Sequence, residues 1–239
     1  MKCLLGFLAF VIFTANTSVK AQTPDRSQLQ SKLMALRSEI KSYEDQLLAP
    51  SPADLEAYAD FLSQPQTGLI RLLPREVFDK REKMTMSGGG AYYSFARLVH
   101  DYGYGSDIEL SQDEFSVGFA GADYGMIAVL NDATVDSVTL AHPAAAYLAS
   151  YKPAVKLPDA RVEQRRTGEG IIANEVTYKS RAAAVVGKAY LLRSIDYDRS
   201  DLLVCFQTIR KDEDGSWILA WKLLKKFETP MLERVTAEN

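Results

Sequence analysis

The stretch from Leu202 to Leu224 constrains this chain most. Two apolar runs, Leu202 to Arg210 and Trp217 to Leu224, are joined by Lys211-Asp212-Glu213-Asp214-Gly215. A charged connection ending in Asp-Gly between apolar runs is a strong β-hairpin signal. In the second run Trp217, Leu219, Trp221 and Leu223 recur at period two and share one face of a strand. Two further candidate strands, Ile171 to Tyr178 and Ala183 to Arg193, precede the hairpin. The chain from Ile171 onward therefore reads as an antiparallel meander.

The first third has a helical period instead. Leu29, Leu33, Leu36, Ile40, Tyr43 and Leu47 are spaced 4, 3, 4, 3, 4, a narrow apolar seam on an amphipathic helix. Such a helix packs within its own domain or pairs with a copy of itself. Fewer than three full heptads favour packing within the chain. A second helix starts at Ser51-Pro52, with Asp54 near its positive end and Leu55, Tyr58, Ala59 and Leu62 as its buried stripe; Pro65 and Gly68 stop it. The piece GLIRLLP (68–74) is apolar and of unassigned type, and 75–83 is a charged surface connector.

After Met84 strands take over. Candidates are Tyr92 to Val99, Asp107 to Leu110, Glu114 to Ala120, where Phe115, Val117 and Phe119 alternate with small residues, and Met126 to Leu130. His142-Pro143 to Tyr151 is a short helix, and 152–170, with its prolines and RVEQRR string, reads as a linker. Helices first and a block of strands last predict an α+β fold. Its N-terminal amphipathic helices pack on a mainly antiparallel sheet that ends in a β-meander. Residues 22–83 form the helical region and 84–239 the sheet region, with 29–83 joined to the sheet in one domain.

The N-terminus bears on location. Lys2 precedes an apolar run, Leu4 to Ala15, that falls short of the ~20 residues a membrane span needs. Val19-Lys20-Ala21 follows with small side chains, which predicts a signal peptide over 1–21 cut before Gln22 and a secreted or periplasmic protein. A retained signal anchor is the alternative. Cleavage removes Lys2 and Lys20 and takes the formal charge of −3 down by two. A mildly acidic chain does not favour nucleic acid or anionic membrane, and no stable membrane span is expected after cleavage. The one remaining cysteine, Cys205, lies in an apolar run and reads as a small buried hydrophobe.

Two segments carry candidate chemistry. Ser87-Gly88-Gly89-Gly90-Ala91-Tyr92-Tyr93 lacks the lysine of a phosphate-binding P-loop and the spacing of a dinucleotide fingerprint. Its glycines form either a permissive bend or an anion nest, the bend being favoured. The stretch HDYGYGSDIEL (100–110) gathers His100, Asp101, Tyr102, Tyr104, Ser106 and Asp107 at the end of a candidate strand. Loops on a rigid scaffold often carry function. Ser106 lacks the glycine-flanked nucleophile elbow, so a hydrogen-bonded turn, in which Asp107 takes backbone donors, outweighs a Ser–His–Asp triad. With two histidines and no paired-cysteine motif, no metal or cofactor is expected. Calcium at Asp101, Asp107, Asp113, Glu114 and Asp123 is outweighed by solvated turns. The basic groups Arg161, Arg165, Arg166 and Lys222, Lys225, Lys226 read as solvated surface.

The segment GGGAYYSFARLVHDYGYGSDIEL, with FSVGFAGADYG, RVEQRR and YDRSDLLV, resembles exported bacterial proteins of unknown function. That resemblance implies export and supplies no catalytic residues. The DGSW hairpin faintly resembles the last strands of NTF2-like proteins. The expected function is non-enzymatic binding of a ligand or envelope partner at Gly88, Gly89, Gly90, Tyr92, Tyr93, His100, Tyr104 and Asp107. The alternatives are a hydrolase using His100 with Asp101 or Asp107 as general base, and self-association through the Leu29–Leu47 helix.

Overall fold

The computed structural model describes residues 25–76, 90–100 and 105–233. The predicted signal peptide, Gly88, Gly89, Asp101 and Tyr104 lie outside them. The chain divides into two compact units, one ending at Tyr43 and the other starting at Glu44. The described part of the first unit is the opening of helix α1 (Arg26–Leu48). The six seam residues of α1, expected to be covered within the chain, are instead 41–63 % exposed. No helix among the described residues is long and apolar enough to cross a membrane.

In the second unit α2 (Pro52–Ala57) and α3 (Ala59–Leu62) replace the one helix expected there. Tyr58 breaks it, with φ −109° and ψ 17°. The predicted start is present as a capping box. The Ser51 hydroxyl accepts from the Asp54 amide while the Asp54 carboxylate accepts from the Ser51 amide. Arg210 clamps the same carboxylate and, with Ser51, holds its pKa down at about 2.

The unassigned apolar piece is strand β1 (Thr67–Leu72), followed by β2 (Tyr92–Tyr93), β3 (Ile108–Ser111), β4 (Glu114–Ser116) and β5 (Tyr124–Leu130). Helices α4 (Pro143–Ser150) and α5 (Leu157–Glu169) come next, then β6 (Ile171–Ala173), β7 (Val176–Tyr178), β8 (Arg181–Ala183), β9 (Ala189–Asp196), β10 (Ser200–Lys211) and β11 (Trp217–Lys226). The main sheet runs β1-β11-β10-β9-β5, a second sheet β2-β3-β4-β8, and β6-β7 stand as a hairpin. The named strand pairings are antiparallel, so the fold is α+β.

Alternation along the strands sets the layers. Tyr190, Leu192, Phe206, Trp217, Leu219 and Trp221 face the second sheet and pack with Phe95, Ile108, Leu110 and Phe115. Ala189, Leu191, Leu203 and Cys205 face the other way, onto Ala144, Ala145 and Leu148 of α4. Cys205 is fully buried, and burial pushes its thiol up to about 12. The β3–β4 turn has Gln112 at φ 50° and Asp113 at φ 57°, the left-handed pair of a two-residue hairpin whose twist matches its strands.

The strand expected over 171–178 is the β6–β7 hairpin, and the one expected over 183–193 is broken between Ala183 and Ala189. Three further expectations differ. Residues 157–169 form α5 rather than a linker. Pro158 sits in the first turn, Asp159 and Arg166 suit the two ends of the dipole, and only Ala160 and Thr167 are buried. A helix that buries so little keeps a polar sequence. The strand expected over 92–99 ends at Tyr93, and Ser94 folds back to bridge Val99. The strand expected over 114–120 stops at Ser116, because Gly118 takes φ 86° and a Cβ there would sit 2.8 Å from the Tyr124 Cα.

Candidate functional site

The expected loop residues are placed mostly in structural work. Gly90, at φ 79°, packs directly under the Leu48 side chain. Tyr92 and Tyr93 point to opposite faces of β2. The Tyr92 hydroxyl donates to Glu109 Oε1 at 2.5 Å, and its ring meets Phe119 edge-on at 5.3 Å. Glu109 also accepts from Ser116 Oγ (2.9 Å) and Arg75 (3.2 Å). The Tyr93 ring lies between Phe95 (5.2 Å) and His100 (5.0 Å). Burial and the nearby Asp107 charge raise the Tyr93 phenol to about 12. His100 Nε2 is 2.8 Å from the Arg71 carbonyl oxygen; a carbonyl only accepts, so this nitrogen carries the proton. Asp107 is fully buried. Its Oδ2 accepts from the amides of Phe95 (2.7 Å) and Ala96 (3.3 Å) and from Ser94 Oγ (3.3 Å). These bonds shape the 94–99 turn, the backbone-holding role expected of Asp107.

Asp107 also opens onto a buried acidic group. Ser194 and Asp196 stand on the face of β9 directed toward it, and Asp123 leads into β5. Asp107, Asp123 and Asp196 are 0 %, 9 % and 3 % exposed. Asp123 and Asp196 lie close enough to perturb one another, and among the described residues neither oxygen of the buried Asp196 carboxyl has a hydrogen-bond partner. Asp123 Oδ1 further accepts from the Tyr197 amide at 3.0 Å. Desolvation raises all three pKa values, and the Asp123 charge helps carry Asp196 to about 7. Arg199 is the nearest counter-charge, 3.8 Å from Asp196 Oδ1. Among the described residues no three His, Cys, Asp or Glu side chains are grouped so as to hold a metal ion.

On the opposite face of β9 stands Arg193, 1 % exposed. It makes a bidentate pair with Asp201 of β10, Nε to Oδ1 at 2.8 Å and Nη2 to Oδ2 at 2.7 Å. Its Nη1 donates to the Leu148 carbonyl and to the Tyr151 carbonyl (2.9 Å), at the negative end of the α4 dipole. The guanidinium carbon lies 3.7 Å from the centre of the Phe227 ring. A cleft of about 270 Å³ opens beside this pair, walled by Tyr151, Pro153, Val155, Phe227, Pro230 and Met231, with Lys152, Lys225 and Glu228 also lining it. The connection after α4 forms one wall and the tail after β11 the other. Three backbone bonds fasten the tail: Phe227 N–H to the Asp201 carbonyl (2.9 Å), Asp198 N–H to the Pro230 carbonyl (2.9 Å) and Glu233 N–H to the Val155 carbonyl (2.7 Å). Tyr151 is braced by its hydroxyl, which donates to Glu163 at 2.7 Å and meets the Tyr124 hydroxyl at 3.0 Å. Burial pushes its phenol far up.

No family model matches this chain, and neither does any curated protein or solved structure. The structure gathers Tyr93, His100 and Asp107 around one turn, with Tyr92 beside Tyr93 on β2 and Gly90 in the turn just before that strand. The cleft is built from residues the sequence reading did not single out as a site, apart from Lys225, which it placed on the surface. A signal was nonetheless present. Arg193 and Asp201 interrupt the runs AYLLRSI and DLLV, and a charge inside an apolar strand is seldom buried without a partner.

Proposed function

We propose that this chain is an exported, non-enzymatic binding protein, and that its ligand enters the cleft beside Arg193. Export rests on the leader-like residues 1–21 and their resemblance to a secretory signal. The observation that carries the binding reading is the buried guanidinium flat against Phe227, at a cleft whose walls are aromatic and aliphatic. Pockets for small molecules combine apolar walls with a few fixed polar groups, and their volumes start near ~300 Å³. Arg193 and Asp201 neutralise each other, which leaves Lys152 and Lys225 against Glu228 around the opening. That balance suits a small ligand with an apolar, preferably aromatic, body and one anionic group.

The contacts of His100 and Asp107 support a structural role for both, so no observation favours the hydrolase alternative. The test is thermal unfolding of the chain from Gln22 onward with a panel of small aromatic carboxylates and their neutral amides. A rise in Tm with carboxylates, absent with the amides and lost in Lys225→Glu, is the expected result. A panel that leaves Tm unmoved, or moves it equally in Lys225→Glu, rejects the cleft as the site.

A further inference from the structure

We propose that helix α1 is a dimerisation element that pairs antiparallel with α1 of a second copy of this chain. Leu29, Leu33, Leu36, Ile40, Tyr43 and Leu47 are 45 %, 53 %, 44 %, 41 %, 63 % and 41 % exposed. In proteins an amphipathic helix draws most of its stability from burial of its apolar face. The far end of α1 is already anchored, because Leu48 is buried and the Leu47 carbonyl accepts from Arg71 Nη1 at 3.1 Å.

The shape of the face selects the occupant. Its residues follow the alternating 4, 3 spacing of a coiled-coil seam, two positions per heptad, which fits one partner helix. A lipid surface calls for a broader apolar face. The exposed seam amounts to roughly 1,000 Å² over two copies, about where specific interfaces begin.

The sequence also selects the direction. The seam is symmetric about Ser38. Reversing the second helix sets Leu29 against Leu47, Leu33 against Tyr43, and Leu36 against Ile40, so the seam is as apolar antiparallel as parallel and the flanking charges decide. In a parallel pair Lys32 of one copy faces Arg37 of the other, and Glu39 faces Glu44, so each charged flanking pair is like-signed. In the antiparallel pair Lys32 comes opposite Gln46 and Glu44 opposite Gln30, and only Arg37 and Glu39 meet their own counterparts at the twofold. Two like-signed contacts in the antiparallel pair thus replace the four of a parallel one, in which Lys32–Arg37 and Glu39–Glu44 each occur twice.

Sedimentation equilibrium of the chain from Gln22 onward at tens of micromolar tests the pairing. The expected mass is that of a dimer. Ile40→Glu, a change at an exposed position, is expected to weaken association at least tenfold with unchanged circular dichroism. Direction is read by oxidation of Leu29→Cys and Leu47→Cys proteins; buried Cys205 stays out of the reaction. Positions 29 and 47 are roughly 27 Å apart along one helix. Antiparallel pairing therefore predicts disulfide-linked heterodimers when the two variants are mixed and no linkage within either variant alone. A monomer at these concentrations overturns the proposal, as does a dimer that survives Ile40→Glu. Linkage of Leu29→Cys with itself overturns it equally.

Discussion

Replacing Asp196 by Asn should stabilise this protein at alkaline pH and leave it nearly unchanged in acid. In the fold Asp196 is raised from 3.8 to about 7, first by desolvation and then by the Asp123 charge beside it. A carboxyl with a raised pKa stabilises the fold while it is protonated. That contribution is complete below the unfolded pKa near ~4 and is lost as pH climbs through about 7. The full shift corresponds to roughly 4 kcal/mol at about 1.4 kcal/mol per unit. The Arg199 guanidinium offsets part of that shift, and about 2 kcal/mol is the expected size. An asparagine has nearly the same shape and never ionises. Urea unfolding followed by the fluorescence of buried Trp217 and Trp221 should show wild type losing about 2 kcal/mol between pH 5 and pH 8 relative to Asp196→Asn. The comparison isolates this carboxyl from the other buried aspartates. Equal pH dependence of the two proteins, or a variant weaker than wild type at pH 8, would refute the raised Asp196 carboxyl.

Two other outcomes follow from buried contacts. Arg193→Met strands the Asp201 carboxylate, whose side chain is 1 % exposed, and should cost about 3–5 kcal/mol in urea unfolding, whereas Arg193→Met with Asp201→Leu should recover most of that loss. Gly125→Ala drives a methyl into the Arg193 carbonyl oxygen and Val117 where β5 crosses β9; a loss of about 3 kcal/mol, read as a lower Tm, is expected, and an unchanged Tm would contradict the close approach.

The parts of the fold legible in the sequence are those with strong local signals. The turn from Lys211 to Gly215 closes β10 onto β11, with the Asp212 amide donating to the Ser216 carbonyl at 2.8 Å. The alternation of Trp217, Leu219 and Trp221 marks the face that meets the second sheet, and Ser51 with Asp54 marks the start of α2. Elements governed by distant contacts were not legible. Helix α5 looks like a linker because its charged string faces solvent, and the break at Tyr58 leaves no glycine or proline at the break itself. The turn after Tyr93 depends on Asp107, which arrives from another strand. The cleft is the extreme case. Arg193 and Asp201 stand on one face of adjacent strands, but α4 and the tail that cover them come from opposite sides of the sequence.

The central claim is that the cleft beside Arg193, rather than the glycine–tyrosine segment, receives a ligand. Backbone amide NMR of the chain from Gln22 onward, titrated with the aromatic carboxylate giving the largest thermal shift, measures this directly. Binding in the cleft predicts shift changes concentrated at 151–155 and 227–231, with Arg193 and Asp201 among them. Changes centred on 90–100 with the cleft amides unmoved would contradict it.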